Sequence, residues 1–220
     1  FPLTVRAHRN RKPLEDLLAA GAKEVKSNAD VARDADIVFL CVTGAPQVEE
    51  IVFGDNGIAS VARAGMIVID TSTSEPATTT KTREALAAKG VAFVDAPLSR
   101  TPVDAELGRL NTMVGADEAT FAKLAPVFAA YCENVVHAGP AGHGLVLKLI
   151  NNVRRLRRGD GRRDEVRAVD QQAAPADVGG PDQLADVPDG RRQGDGRRPH
   201  RPQVHAGQRG EGPALLHALH

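Results

Sequence analysis

Short apolar runs alternate with longer segments of helical spacing along the first 152 residues of the chain. The runs at 37–42, 65–70 and 91–95 are almost continuously apolar. Such continuity is typical of parallel strands that are covered on both faces, whereas a half-exposed strand alternates apolar and polar residues. Strands that alternate with helices predict βαβ units, so the expected fold class is α/β with a doubly wound parallel sheet.

Proline and glycine mark where the predicted helices begin and end. Pro13 and Pro76 each open a helix that a glycine closes, at Gly21 and Gly90, which is the usual asymmetry of helix ends. The full pattern predicts strands at 3–5, 24–26, 37–42, 65–70, 91–95, 112–114 and 134–137, and helices at 13–20, 29–33, 47–52, 76–89, 118–130 and 142–152.

Polar or glycine- and proline-containing loops follow three of the buried strands, at 42–44, 70–73 and 95–99. In a doubly wound sheet, ligands bind beyond the carboxyl ends of the strands. The three loops therefore predict a binding crevice at that edge, although any one of them alone would be an ordinary turn.

The composition changes abruptly after Asn152. Residues 153–220 contain 13 Arg and no Lys, 10 Gly and 6 Pro, and lack Ser, Thr, Asn, Ile, Met and every aromatic residue. So little apolar surface does not offset the entropy of ordering, and the expectation for 159–220 is disorder. An out-of-frame stretch of a GC-rich gene explains this composition better than selection does.

The charge and cysteine content narrow the partners and the compartment. The formal net charge is zero, no apolar run approaches the length of a membrane span, and the tail carries only about +3 with no aromatics for base stacking. We expect neither nucleic acid nor membrane as a partner. Cys41 and Cys132 are read as reduced packing residues, which favours a cytoplasmic protein.

Four segments together resemble a known family. In chain order they are Asp70 to Thr73, Asp95-Ala96-Pro97-Leu98-Ser99, Leu110 to Gly115, and Gly139 to Gly144 with the following Lys148 and Asn152. In this order and spacing they resemble the 3-hydroxyisobutyrate (β-hydroxyacid) dehydrogenases. The resemblance implies a Rossmann sheet, a nicotinamide cofactor, and interconversion of a small 3-hydroxy acid and its semialdehyde. Intact relatives of this kind are expected to be homo-oligomers.

The resemblance also implies roles for single residues. Hydride transfer to an aldehyde leaves negative charge on its oxygen, which Lys148 would protonate, with Asn152 one helical turn away. For an isolated Lys/Asn pair, the alternative is a solvated helix surface. Ser99 would bind the acidic group of the substrate. By analogy, the cofactor would contact Val42, Thr43, Gln47, Thr73, Gly142 and Gly144, and no metal site is expected.

Arg100 and Thr101 stand where many family members have two glycines. This departure resembles the sulfolactaldehyde and tartronate semialdehyde reductases, and an arginine fork suits a carboxylate, sulfonate or phosphate. Both residues are therefore candidates for substrate binding, and the alternative for Arg100 is an exposed loop residue.

Basic residues cluster after the first predicted strand. Among them, Arg9 and Arg11 are candidates for binding the extra phosphate of NADP, since no acid precedes Glu15 to hold the ribose hydroxyls of NAD. NADP is the expected cofactor and NAD the alternative; the cluster is also compatible with a solvated turn.

The chain departs from the family in one important motif. The glycine-rich turn G-x-G-x-x-G does not occur, and Phe1 aligns with the start of the family's second strand. We expect an N-terminally truncated dinucleotide-binding domain at 1–140 that lacks its first strand, an interdomain helix at 141–158 and a tail at 159–220. The loss would leave two facing strand edges unpaired. An inactive remnant or a binding protein with a Rossmann-like core is the alternative function.

Overall fold

A computed structural model describes residues 2–7, 11–157 and 215–219, and its centre is one twisted sheet. The strands are β1 Leu3–Ala7, β2 Lys23–Glu24, β3 Ile37–Cys41, β4 Ile67–Asp70, β5 Ala92–Asp95, β6 Leu98–Ser99, β7 Leu110–Gly115, β8 Cys132–Gly139 and β9 Leu215–Leu219. Their order in the sheet is β2-β1-β9-β3-β4-β5-β7-β6, with β8 paired to β7. The helices are α1 Lys12–Ala19, α2 Asn28–Arg33, α3 Ala45–Phe53, α4 Pro76–Ala87, α5 Pro102–Glu106, α6 Glu118–Tyr131 and α7 His143–Arg157, with a 3₁₀ turn at Ile58–Ser60.

Strands β3, β4 and β5 form the parallel part of the sheet that the apolar runs predict. Leu40 is the register partner of Asp70, and Asp70 is the partner of Asp95, so these strands end together at one edge. Side chains alternate between two apolar cores: Val38 and Val68 face one, whereas Ile69 faces the other. Coverage on both faces explains why the three runs are continuously apolar.

The sheet is not parallel throughout, which corrects the predicted topology. Strand β7 is antiparallel to β5 through the pair Asp95 and Gly115, and β6 is antiparallel to β7. Neither β6 nor α5 was predicted, because both are too short to show a periodic pattern. The result is an α/β fold with a mostly parallel sheet whose antiparallel end lies next to β5.

The position between β1 and β3 is occupied by β9, which comes from the C-terminal end of the chain. β9 runs antiparallel to both neighbours, with Leu215 opposite Ala7 and Cys41 at one end and Leu219 opposite Leu3 and Ile37 at the other. The expectation of two unpaired edges is therefore wrong, because residues 215–219 pair with both of them in this structure. The remainder of the tail, 158–214, lies outside the described residues.

Helix α7 begins at His143 and ends at Arg157, inside the range 141–158 predicted for an interdomain helix. It packs against β7 and β8 and reaches β5. Leu145, Lys148 and Asn152 are buried, and their spacing of three and four residues puts them on one face. That the helix connects two domains stays a prediction.

The pairing of β9 can be tested by removing one backbone donor. Ala218 lies opposite both Thr4 and Val38, so Ala218→Pro should break the ladder and clash with a neighbouring strand. We expect faster hydrogen exchange of the amides of β1 and β3, while β4 and β5 remain protected. Ala218→Ser keeps the N–H and is the control. Unchanged exchange in the proline variant would contradict the placement of β9.

Candidate active site

Side-chain hydrogen bonds connect the ends of β3 and β4. The Val42 amide donates to Ser72 Oγ over 3.0 Å, and within the β4 loop the Ser72 amide donates to Asp70 Oδ1 over 2.9 Å. Thr71 Oγ1 donates to the carbonyl of Leu40 over 2.7 Å. Asp70, Thr71 and Ser72 are all buried, so the strand ends are held together by polar groups shielded from water.

The Asp95 carboxylate connects β5 to the first turn of α7. The Gly142 amide donates to Oδ1 over 2.5 Å, and the Leu145 amide donates to Oδ2 over 2.7 Å. Amides at a helix start have no partner within the helix, and a carboxylate there also interacts favourably with the helix dipole. Both carboxylate oxygens of Asp95 are thus used to hold the helix.

Two glycines make this junction possible. A Cβ on Gly115 would lie 2.4 Å from Asp95 Oδ1, and a Cβ on Gly144 would lie 2.3 Å from the carbonyl oxygen of Met113. Helix–sheet packing therefore requires that Gly144 has no side chain. Gly142 has φ +101, and a Cβ there would have only Arg83 Nη1 within contact range, at 4.0 Å. A cofactor contact at Gly142 or Gly144 stays a prediction.

Lys148 and Ser99 are brought together by the docking of α7. Lys148 Nζ donates to Ser99 Oγ over 3.2 Å, although the two residues are 49 positions apart in the chain. Lys148 is only 8% exposed and Asn152 only 6%, which excludes the solvated-helix alternative for both. Asn152 Oδ1 is buried and has no hydrogen-bond partner among the described residues. An acceptor left open beside a buried amine suits a polar ligand.

Arg100 and Thr101 make other contacts in this structure. Arg100, at φ 86, donates through Nη1 to Glu133 Oε2 over 2.5 Å and to the carbonyl of Arg109 over 2.8 Å. Thr101 is the N-cap of α5 and forms a capping box with Asp104. The guanidinium charge of Arg100 is therefore balanced by Glu133, and substrate binding by either residue stays a prediction.

The predicted cofactor-binding residues that follow β3 and β4 lie at the same edge of the sheet. Thr43 precedes the start of α3, Gln47 is exposed in its first turn, and Thr73 follows Ser72. Arg11 forms a two-point ion pair with Glu24, with both N–O distances 3.0 Å. Arg9 lies outside the described residues. The basic cluster is thus partly neutralised by an acid that the sequence analysis did not connect to it.

Two buried carboxyl groups lie side by side at the centre of the site. Burial raises the pKa of Asp95 to about 6, against the effect of the hydrogen bonds from the Gly142 and Leu145 amides and of the nearby His143. Burial also raises the pKa of Asp70 to about 6, against the hydrogen bonds from Ser72, and the charge of Asp95 raises it further.

Half of this site fits a nicotinamide dinucleotide, and half does not. The loop at Asp70–Thr73 at the carboxyl edge of the sheet, the open acceptor of Asn152 and the Lys148 amine are polar groups that suit the reactive end of such a cofactor. A pyrophosphate is normally held by a glycine-rich turn after a central parallel strand. Here the central strand is β9, which runs the opposite way and starts at that edge with Leu215. The described residues offer no pyrophosphate turn.

No role was predicted from the sequence for three residues of the site, Asp95, Gly115 and Glu133. Asp95 was visible only as part of a motif, because its partners at Gly142 and Leu145 are about 50 residues away. The ion pair of Arg100 and Glu133 likewise joins residues that only the pairing of β7 and β8 brings together. A search for a buried-strand acid followed by a distant glycine turn would have identified Asp95.

The fold and this arrangement define a nicotinamide-dinucleotide-binding domain. The family model for the NAD-binding domain of 6-phosphogluconate dehydrogenase matches residues 3–139. The chain belongs to this family, within its 3-hydroxyisobutyrate (β-hydroxyacid) dehydrogenase group. NADP, with NAD as the alternative, is the cofactor class that fits the family.

Named relatives support this placement. 2-(Hydroxymethyl)glutarate dehydrogenase of Eubacterium barkeri is 37% identical over 137 residues, which cover 62% of this chain and 46% of the relative. 2-Hydroxy-3-oxopropionate reductase of Escherichia coli is 34% identical over 139 residues, covering 63% and 48%. A crystal structure of 3-hydroxyisobutyrate dehydrogenase from Salmonella typhimurium superposes with a TM-score of 0.61 at 31% identity, covering 67% and 52%. The chain spans about half the length of these relatives.

No helix in residues 2–7 or 11–157 is long and apolar enough to cross a membrane. Within the same ranges, no three His, Cys, Asp or Glu side chains come together in a way that would hold a metal ion.

The raised pKa values of Asp70 and Asp95 predict how stability depends on pH. Both groups bind protons more readily in the folded chain than at their ordinary value of 3.8. Their contribution to the free energy of unfolding is therefore complete below about pH 4 and is lost as the pH rises through about 6, by roughly 3 kcal/mol for a group that titrates alone. Urea unfolding between pH 4 and 8 measures it.

The informative quantity is the difference between the wild type and Asp95→Asn. Exposed, ion-paired acids such as Glu24 have a lowered pKa and act in the opposite direction, so the total curve alone is ambiguous. We expect Asp95→Asn to reduce the loss of stability between pH 4 and 7, and the exposed Asp55→Asn to leave it unchanged. Equal pH dependence in all three chains would contradict this assignment.

Proposed function

We propose that the site around Lys148 serves an NAD(P)-dependent oxidoreductase reaction that interconverts a small 3-hydroxy acid and its semialdehyde. The observation that carries this proposal is the part-buried contact between Lys148 Nζ and Ser99 Oγ. An amine beside a hydroxyl at the carboxyl edge of the sheet, where ligands of this fold class bind, supports a role for Lys148 in proton transfer. Two relatives, 2-(hydroxymethyl)glutarate dehydrogenase and 2-hydroxy-3-oxopropionate reductase, are named for reactions of hydroxy acids or their aldehydes, which supports the proposal.

Lys148 is the proposed acid and base of the reaction. The bound dinucleotide supplies or accepts the hydride. Lys148 protonates the substrate oxygen during reduction and receives the hydroxyl proton during oxidation. Asn152 Oδ1, which lacks a partner among the described residues, accepts a hydrogen bond from the substrate hydroxyl or from the lysine. Burial of both residues keeps water from competing for these contacts.

Ser99 and Arg100 are the proposed substrate-binding residues. The Ser99 hydroxyl binds the carboxylate of the substrate, and Thr101 fixes the loop through its capping box. Arg100 would exchange Glu133 for the anionic group of the substrate and share it with Ser99, because guanidinium binds carboxylate and sulfonate in the same two-point geometry. Tartronate semialdehyde (2-hydroxy-3-oxopropionate) and sulfolactaldehyde are therefore the first substrates to test. The proposed cofactor contacts are Val42, Thr43, Gln47, Thr73, Gly142, Gly144 and the basic pair Arg9 and Arg11.

A specific observation favours a second candidate. Strand β9 occupies the centre of the sheet where a pyrophosphate turn would normally start. We therefore propose that the chain as given turns over slowly or not at all, and that it acts as a binding protein for hydroxy acids. An out-of-frame tail after Asn152 remains our explanation of its composition. A single-base shift downstream that encodes an apolar helical segment would support it, and the absence of one would exclude it.

Turnover assays separate the two candidates. NADPH or NADH oxidation is measured with tartronic, sulfolactic and succinic semialdehydes, and binding of each ligand is measured by titration calorimetry. Binding without turnover supports the binding protein, whereas robust turnover refutes the inactive form.

Replacement of Lys148 tests the proposed acid. In a preparation that turns over, Lys148→Ala should lower kcat by about 10²–10⁴-fold, the usual effect of losing a general acid, while the cofactor Kd changes little. Lys123→Ala, on the exposed face of α6, is the matched control. A decrease in kcat below about threefold, or an equal decrease in the control, would remove Lys148 from the mechanism.

A further inference from the structure

We propose that Asp95 is a positioning residue of this site: its carboxylate fixes the rotation and axial position of α7 and thereby holds Lys148 against Ser99. The catalytic meaning of this role rests on the function proposed for Lys148. The positioning itself is a property of the chain that can be measured without turnover.

Both carboxylate oxygens of Asp95 accept hydrogen bonds from α7. Oδ1 accepts from the Gly142 amide and Oδ2 from the Leu145 amide, which are three residues apart at the start of α7. A single hydrogen bond would let the helix rotate about it. Two hydrogen bonds from amides three residues apart to one rigid, planar carboxylate fix both the rotation of the helix and its distance from β5.

The rotation decides where Lys148 lies. Leu145 and Lys148 are three residues apart, so they project from the same face of the helix. The face that carries the Leu145 amide tether is therefore the face that presents Lys148. A rotation of one residue, about 100° in an α-helix, would turn the lysine away from Ser99.

The surrounding packing leaves room for a carboxylate and for little else. The space beside Gly115 is occupied by the Asp95 carboxyl group, since a Cβ there would lie 2.4 Å from Oδ1 and 2.8 Å from Oδ2. On the other side, Gly144 rests against the Met113 and Asp95 carbonyls. Strand β5, strand β7 and α7 thus meet at one point, and Asp95 is the polar group that joins them.

An asparagine has the shape of aspartate but only one acceptor oxygen. Asp95→Asn would satisfy one of the two amides and direct an NH₂ group at the other, which loosens α7 without changing the volume of the site. Gly115→Ala acts from the opposite side, because the added methyl group displaces the carboxylate. Asp117→Asn is the control: Asp117 caps α6 through Thr120 in the same way but lies outside the site.

Two measurements report the position of α7. In NMR spectra of the full chain, the Gly142 and Leu145 amide protons should lie downfield, as expected for short bonds to a carboxylate. At least one should move upfield in Asp95→Asn. In acylation experiments with acetic anhydride followed by mass spectrometry, Lys148 should react about tenfold faster in Asp95→Asn and in Gly115→Ala, because loss of the Ser99 contact exposes its amine. Asp117→Asn should change neither quantity.

A merely structural role predicts a different pattern. Removing a residue that only stabilises the fold would lower the urea midpoint at pH 8, but replacing the buried charge of Asp95 should leave that midpoint nearly unchanged while Lys148 becomes reactive. Ordinary chemical shifts of the Gly142 and Leu145 amide protons in the wild type would overturn the proposal. So would Lys148 acylation that is as slow in both variants as in the wild type. The wild-type spectrum tests the proposal even if a variant does not fold. Normal turnover of Lys148→Ala would instead refute the proposed function and leave the positioning role intact.

Discussion

The carboxylate of Asp95 joins the end of a buried strand to the first turn of α7, and the chemistry of the site depends on that junction. Lys148 and Asn152 belong to α7, whereas Ser99 ends the short strand β6 that follows β5. The hydrogen bonds from the Gly142 and Leu145 amides to Asp95 hold α7 where Lys148 meets Ser99. Gly115 and Gly144 permit the approach because neither has a side chain to keep the backbones apart.

This junction is not a source of stability at neutral pH. Transfer of a carboxylate from water to a buried position is unfavourable, and two amide donors compensate for it only in part, as the raised pKa of Asp95 indicates. Asp70 lies beside it under the same conditions. Two adjacent buried acids in a small domain are better explained by geometry that the site requires than by a contribution to folding.

The sequence predicted those features that depend on local patterns. Strands β3, β4 and β5 were identified because burial on both faces makes them apolar throughout, and α4 because Pro76 and Gly90 mark its ends. The approach of Lys148 to Ser99 was implied only by family resemblance. The contacts of Asp95, Arg100 and Arg11 were not predictable, since each joins residues far apart in the chain whose proximity depends on the sheet order.

The antiparallel end of the sheet and strand β9 escaped prediction for a different reason. A short strand such as β6 has too few residues for a period to be recognised. The direction of a strand is not encoded in its own composition but in the path of the chain that leads to it. For β9, the surrounding composition argued against any regular structure, and only the two edges available at β1 and β3 account for its pairing.

The pairing of Leu3 with Leu219 also has a consequence for biosynthesis. A ribosome that adds about 5–20 residues per second needs roughly 10–40 s to travel from β3 to β9. Throughout that interval β1 and β3 have emerged, but the strand that separates them has not yet been made. Their facing edges are open to any extended chain nearby, including a second nascent copy. The centre of this sheet is thus assembled only after β9 has been made, and protection by chaperones during synthesis will influence how much of the chain reaches its folded form.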